Sequence, residues 1–304
     1  MSTPITDPTA AFPADLRRAL LHADPRLSRF DPLPRIIAFD DFDRGHCGWT
    51  SLVGNYEGSL DSLLPGYRGL TGPMLSTLSH WDSGSHGSHD GSYALKLATR
   101  ARRDALSVAI KRLTFRKPGP IRLEFYFTFK PEATELKLAD RDVQSVGFLF
   151  DLQMGDRAGR AGQRVMPHLR YLNSRAGELQ QKWQFKRGAP AIQDIGTTAE
   201  TVSHFHLGDN DWQDLPDGGQ RLCYNEIATK VNWHYVRFDF DIATMSALSF
   251  QCNDREFELS TFESLRMPAM KNLWCMLNVA MFAQTDVDKR AFLYVDSVCL
   301  SGDF

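Results

Sequence analysis

Eight side chains stand out for the chemistry they could do: Glu124, Tyr126, Asp151, Gln153, Tyr235, Arg237, Trp274 and Asn278. Each falls on the polar side of a segment whose alternate residues are apolar. In IRLEFYFTFK (121–130), Ile121, Leu123, Phe125, Phe127 and Phe129 share one face, which leaves Glu124 and Tyr126 on the other. SVGFLFDLQ (145–153) turns Val146, Phe148, Phe150 and Leu152 inward and Asp151 and Gln153 outward. NWHYVRFDFDI (232–242) sets Tyr235 and Arg237 against His234, Val236 and Phe238. NLWCMLNVAMF (272–282) sets Trp274 and Asn278 against Leu273, Cys275, Leu277 and Val279. Rings beside amides, carboxylates and a guanidinium suit a sugar, whose C–H face stacks on an aromatic while its hydroxyls take hydrogen bonds. If sequence order is spatial order, Glu124 and Asp151 lie on neighbouring strands and could serve as acid and base. A lyase-like arrangement would instead use Tyr126 or Tyr235, with Arg237 neutralising a substrate carboxylate. The plainer alternative is the solvated face of an antiparallel sheet.

Other polar groups invite weaker readings. AFLYVDSVCL (291–300) alternates Phe292, Tyr294, Val298 and Leu300 against Leu293, Val295 and Cys299, with Asp296 on the aromatic face. A carboxylate there must be hydrogen-bonded, paired or metal-bound, since isolation would cost several kcal/mol. His80, His86 and His89 stand in a Gly/Ser loop, and His204 and His206 near Asp209 in another. Neither spacing fits a zinc site, so solvated loops are expected. GDRAGRAGQR (155–164) lacks the G-K-[ST] of a phosphate loop and is expected to be a mobile loop, or else a flap over an anionic ligand.

The elements that must position these groups are mostly strands. Residues 13–24 predict a short helix, with Leu16, Ala19, Leu20 and Ala23 at helical spacing. Prolines 25, 32 and 34 lead into a first strand at RIIAFDDFD. Ten or more alternating segments follow, interrupted by long irregular stretches at 50–92 and 187–230. The pattern predicts an all-β, two-sheet antiparallel sandwich with a short N-terminal helix and long loops. Residues 1–34 form an extension and 35–304 one domain, a size that suits 304 residues at 42% hydrophobic content. A net charge of −2 gives no reason to expect nucleic acid. No apolar run is long enough to span a bilayer. The N-terminus lacks the pattern of a secretory signal, and five cysteines without C-x-x-C spacing suggest reduced thiols. A cytoplasmic location is expected.

In order along the chain, AFDDFDRGHCGW, DGSYALKL, NWHYVRFDFDIATMSALSFQCND, NLWCMLNVAMF and FLYVDSVCL resemble successive segments of the concanavalin A-like jelly roll. The likeness is to laminarinase- and lichenase-type glycoside hydrolases and related carbohydrate-binding modules, over residues 35–304. It implies a carbohydrate ligand on the concave sheet, with Asn278 matching an amide of the sugar site. It also implies a structural calcium held by backbone near Phe39–Asp41, by backbone at Gly91 and by the Asp296 carboxylate, hard oxygen ligands that suit this ion. The alternative for Asp296 is a set of backbone N–H bonds or a basic partner. One departure bears on activity. The hydrolases carry Glu-x-Asp-x-Glu where this chain has Leu149, Asp151 and Gln153. Retaining hydrolysis needs two carboxyls about 5–5.5 Å apart, and this strand offers one. The expected function is therefore a sugar-binding protein that cleaves, if at all, as an atypical hydrolase or lyase; the alternative is a lectin-like binder or complex subunit.

Overall fold

The structure is a computed structural model, described over residues 14–51, 70–76, 88–132, 140–156, 161–187, 211–222, 232–267, 269–270 and 273–304. Helix α1 (Ala14–Ala23) comes first. The strands are β1 (Arg35–Asp40), β2 (Trp49–Ser51), β3 (Leu70–Thr71), β4 (Pro73–Leu75), β5 (Leu95–Ala98) and β6 (Leu106–Thr114). Then come β7 (Pro120–Pro131), β8 (Val143–Gln153), β9 (Arg164–Met166), β10 (His168–Arg175), β11 (Glu178–Lys186) and β12 (Trp212–Gly219). The closing third holds β13 (His234–Asp241), β14 (Ser246–Cys252), β15 (Arg255–Glu258), β16 (Leu265–Met267), β17 (Met276–Thr285) and β18 (Ala291–Gly302).

They form two sheets. Sheet 1 runs β15-β14-β13-β7-β18-β5-β4, with β1 also on β18. Sheet 2 runs β12-β11-β10-β8-β17-β6-β2, with β9 joining β8 to β16 and β3 lying parallel to β6. Every other pairing is antiparallel, and the two sheets make the expected jelly-roll sandwich. Their inner faces meet through the phenylalanines that the alternation placed inward. Phe125 and Phe127 of β7 lie 4.6 and 5.2 Å from Phe148 of β8, and Phe150 lies 5.1 Å from Phe238 of β13. Each such ring pair adds about 0.5–1.5 kcal/mol beyond the area it buries. A buried ion pair also bridges the layers. Lys111 of β6 meets Asp40 of β1 at 2.9 Å, and Asp40 accepts the Trp49 indole N–H.

Three local features depart from the sequence expectation. First, β18 is interior with both faces buried, but it does not keep one phase. Its register against β7 jumps between Asp296 and Cys299, and Ser297 takes φ 52°. This bulge inserts a residue and inverts the alternation beyond it. Val298 and Leu300 therefore join Leu293 and Val295 in the core, while Phe292, Tyr294 and Asp296 stay on the outer face with Cys299. Second, residues 212–219 form β12, although WQDLPDGG lies in a stretch expected to be irregular. It is an edge strand, where Pro and Gly are tolerated. Third, β17 starts at Met276 rather than 272, because Cys275 adopts φ 55° and breaks the extended run. Cys47, Cys252, Cys275 and Cys299 are free thiols, and Cys223 is outside the described residues.

Candidate functional site

The eight side chains do not converge. β7 belongs to sheet 1 and β8 to sheet 2, and both Glu124 and Asp151 point away from the core. The two carboxylates therefore occupy opposite outer faces of the sandwich, more than the ~10 Å intersheet spacing apart. An acid–base pair of Glu124 and Asp151 is excluded by the topology.

The outer face of sheet 1 carries Glu124, Tyr126, Tyr235 and Arg237 on paired positions of β7 and β13. It is sealed by the N-terminal segment. Phe30 is buried against Phe39 and Tyr126, 6.4 and 5.8 Å between ring centres. The Asp31 N–H donates to Glu124 Oε1 at 2.9 Å, and the Tyr235 hydroxyl donates to the same oxygen at 2.6 Å. Burial raises the Glu124 carboxyl above its ordinary range, while the Tyr235 and Asp31 bonds pull it back. Burial, with Glu124 alongside, likewise raises the Tyr235 phenol. His89 stacks on Tyr126 at 4.0 Å, with Arg29 donating to its Nδ1. Arg237 is paired with Asp239 at 3.2 Å and with Glu256. These four side chains hold the extension and the strand edges, so a substrate role for Tyr126, Tyr235 or Arg237 would have to displace that seal.

The Asp296 group belongs to the same seal. Its Oδ2 accepts the His89 and Asp90 N–H groups at 2.8 and 3.0 Å, and its Oδ1 accepts the Ser297 N–H at 2.6 Å. The Gly91 carbonyl accepts the Ser88 hydroxyl, and Asp41 accepts the Asp43 N–H. The opening strand does meet the Gly91 loop, but through Asp43, whose Oδ1 caps Ser92 and Tyr93. Gly91 is obligatory there: it takes φ +71°, and a Cβ would lie 2.0 Å from the Asp43 carboxylate. Two of the groups expected to bind calcium, the Asp296 carboxylate and the Gly91 carbonyl, thus accept N–H and O–H donors. No cluster of three or more metal-binding side chains occurs among the described residues. His80, His86, His204, His206 and Asp209 lie outside them. Burial pushes the Asp296 carboxyl up to about 7, against the pull of its three N–H donors.

The outer face of sheet 2 holds the other candidates and a group that the sequence reading passed over. Asn278 of β17 is the cross-strand partner of Asp151 on one side and of Arg112 on the other. Asp151 is clamped by Arg164, Nε to Oδ1 and Nη2 to Oδ2 at 2.8 Å each. Gln153 is not available to a ligand. Its amide donates to the Met270 and Leu273 carbonyls and accepts the Met270 N–H, which ties both residues to the sheet. Trp274 is half exposed and precedes β17 instead of lying on it.

Farther across the same face lie His168, Arg170, Gln184, Lys186 and Trp212, from β10, β11 and β12. Arg170 Nε donates to Gln184 Oε1 at 2.7 Å, and Gln184 Nε2 donates to Asp214 at 2.6 Å. The Arg170 guanidinium sits 4.2 Å from the Trp212 ring centre and the Lys186 ammonium 4.9 Å from it. His168 is wholly buried, edge-on to Trp212, and donates from Nδ1 to the Met166 carbonyl. Burial holds its pKa down at about 3, with Lys186 adding to the effect. Gly147, beside Arg170, leaves space for the Phe282 ring, which a Cβ would strike at 2.2 Å. The signal for this group was present: HLRYLNS and ELQQKWQFK alternate His168/Arg170 and Gln184/Lys186 against Leu169/Tyr171 and Trp183/Phe185.

Residues 17–304 match the model of a family described as a domain of unknown function, DUF6772. The chain belongs to this family. No curated protein sequence matches it. Among solved structures, it is similar to the alginate lyase Aly36B in complex with alginate trisaccharide, at 13% identity and a TM-score of 0.36, covering 69% of this chain and 82% of that one. It is also similar to the potassium-bound carbohydrate recognition domain of Emp46p, at 11% identity and a TM-score of 0.35, covering 84% and 98%. A legume lectin-like domain from Entamoeba histolytica matches at 7% identity and a TM-score of 0.37, covering 71% and 86%. These are concanavalin A-like jelly rolls.

Proposed function

We propose that this DUF6772 protein binds a carbohydrate on the outer face of sheet 2 and does not hydrolyse it by a carboxylate pair. The observation that carries this reading is Trp212 with two cations on its ring, Arg170 and Lys186, beside the Gln184–Asp214 amide–carboxylate pair. An indole and a carboxylate are groups that stack on and hydrogen-bond a sugar ring; Trp212 and Asp214 are accessible, while Arg170, Gln184 and Lys186 are more than nine-tenths buried and would hold them in place. Asn278, Asp151 and Arg112 extend the same face by one more row.

Geometry opposes hydrolysis by a carboxylate pair. Asp151 is committed to Arg164, and Asp214, the carboxylate beside Gln184 on this face, is three strand spacings away. Asp214 is also level with Gly147, four residues along the strand from Asp151, so the separation is about 20 Å, beyond the ~5–5.5 Å of a retaining pair and the ~6.5–9.5 Å of an inverting one. Sugar binding on sheet 2 does not draw on calcium, and the Asp296 carboxylate and Gly91 carbonyl are already hydrogen-bonded. Free thiols at Cys47, Cys252, Cys275 and Cys299 suit a reducing, cytoplasmic setting.

The test is calorimetric titration of the full chain with a panel of neutral and acidic oligosaccharides, followed by product analysis. Binding of an unchanged ligand, weakened at least tenfold by Trp212→Ala, supports the proposal. Released reducing ends or unsaturated products would replace the binder with an enzyme.

A further inference from the structure

A cleft of about 350 Å³ opens where the start of β1, in sheet 1, meets the end of β6, in sheet 2. That volume lies at the small end of the ~300–1,000 Å³ typical of small-molecule sites. Its apolar lining includes Ile37, Phe115 and Phe304. Phe115 is buried in the core, and Ile37 and Phe304 pack against that core. Two glycines make room for Phe304. A Cβ at Gly302 would lie 2.6 Å from the Phe304 ring, and one at Gly119 would lie 3.1 Å from the Phe304 Cβ. The backbone fixes both walls. The Phe115 N–H donates to the Cys275 carbonyl at 3.0 Å, and the Asp303 N–H donates to the Pro120 carbonyl at 3.0 Å. Arg35 is the cross-strand partner of Gly302 in the β1–β18 pairing. The two phenylalanine rings are therefore placed by paired backbone rather than by loop side chains.

The same cleft carries cations. Arg35, Arg116 and Lys117 all line it, and no acidic side chain is among the described residues that do. Arg116 and Lys117 are exposed and belong to the RKPG turn (116–119) that follows β6. Asp303, the neighbour of Phe304 in the chain, is exposed as well. Counting it, the side chains here still set three cations against one carboxylate. An apolar floor with two aromatic rings thus stands beside a positive rim.

We propose that this cleft binds a small aromatic carboxylate, with its ring against Phe115 and Phe304 and its carboxylate on Arg116 and Lys117. Rings of this kind attract a ligand ring through edge or offset contacts. A guanidinium fork matches a carboxylate, and the Thr114 hydroxyl in the same lining offers one more donor. An exposed ion pair contributes little alone, so burial of the ring supplies the affinity and the cations select for the acid. A bare anion lacks the body that the floor accepts. This site shares no residue with the Trp212 group, so it and the sugar-binding reading can fail independently.

The experiment is saturation-transfer NMR of the full chain with naphthoate as the probe, with calorimetry for the dissociation constant. Saturable binding is expected, at least fivefold weaker for the neutral naphthamide, with no displacement by inorganic phosphate at fixed ionic strength. Joint replacement of the exposed pair, Arg116→Gln with Lys117→Gln, should raise the dissociation constant at least fivefold, and Phe304→Ala should raise it at least tenfold. Nuclear Overhauser contacts from the naphthoate ring to Phe115 and Phe304 in the unsubstituted protein locate the ligand without relying on any variant. No saturable binding, equal affinity for acid and amide, displacement by phosphate, or an affinity unchanged in these variants overturns the proposal. So does binding lost in Trp212→Ala but kept in Phe304→Ala, because the ring would then lie on sheet 2.

Discussion

Asp296 and His168 are buried titratable groups with opposite leverage on stability. The folded pKa of Asp296, about 7, lies above its ordinary value of 3.8. The folded state therefore holds this proton more tightly, and its contribution is full below pH 3.8 and lost as pH rises towards 7. The folded pKa of His168, about 3, lies below its ordinary 6.5. Unfolding then takes up a proton, so its contribution is present above pH 6.5 and lost as pH falls towards 3. Between pH 4 and 6.5 each slope approaches about 1.4 kcal/mol per pH unit, with opposite signs. Urea melts across that range should show Asp296→Asn losing stability on acidification faster than the parent, and His168→Gln losing it more slowly or gaining it. Parallel pH profiles for parent and both variants would contradict these assignments. At the same scale, Gln153→Ala should release Met270 and Leu273 and cost about 1–3 kcal/mol by leaving backbone groups without partners.

The element that matters most for the fate of the sequence expectations is the N-terminal segment. Nothing in the alternation of β7 shows that Glu124 and Tyr126 are covered, because the cover comes from Phe30 and Asp31, about ninety residues away. Phe30→Ala should destabilise the chain by about 3–5 kcal/mol and speed hydrogen exchange along β7 and β13; an unchanged melt would mean that the segment merely rests on the sheet. The strands themselves were legible. Segments such as ELQQKWQFK match β11 to the residue, because period-two alternation and a Gly turn fix both ends. What alternation could not show was the β18 bulge, since VDSV reads the same whether or not one residue is looped out. Nor could it show β12, whose Pro216 and glycines are excluded from central strands but not from an edge.

At the scale of the whole molecule, sequence neighbours need not share a sheet. β7 and β8 follow one another, yet each pairs with strands more than a hundred residues later. Period two tells which side chains share a strand face; only the long-range pairing tells which sheet that face belongs to. The eight candidates thus divide between a sealed face on sheet 1 and a polar–aromatic face on sheet 2. With the N–H bonds on Asp296 as the fastening of the sealed face, chelation with EDTA should leave the melting temperature unchanged, and a fall reversed by calcium would show a coordination shell in their place. Whether sheet 2 is the ligand face is best measured by calorimetric titration of one bound oligosaccharide against paired variants. Arg170→Ala and Trp212→Ala should each raise the dissociation constant at least tenfold while Tyr126→Ala changes it less than twofold. Loss of binding in Tyr126→Ala with Arg170→Ala and Trp212→Ala unaffected would contradict it and move the ligand to sheet 1.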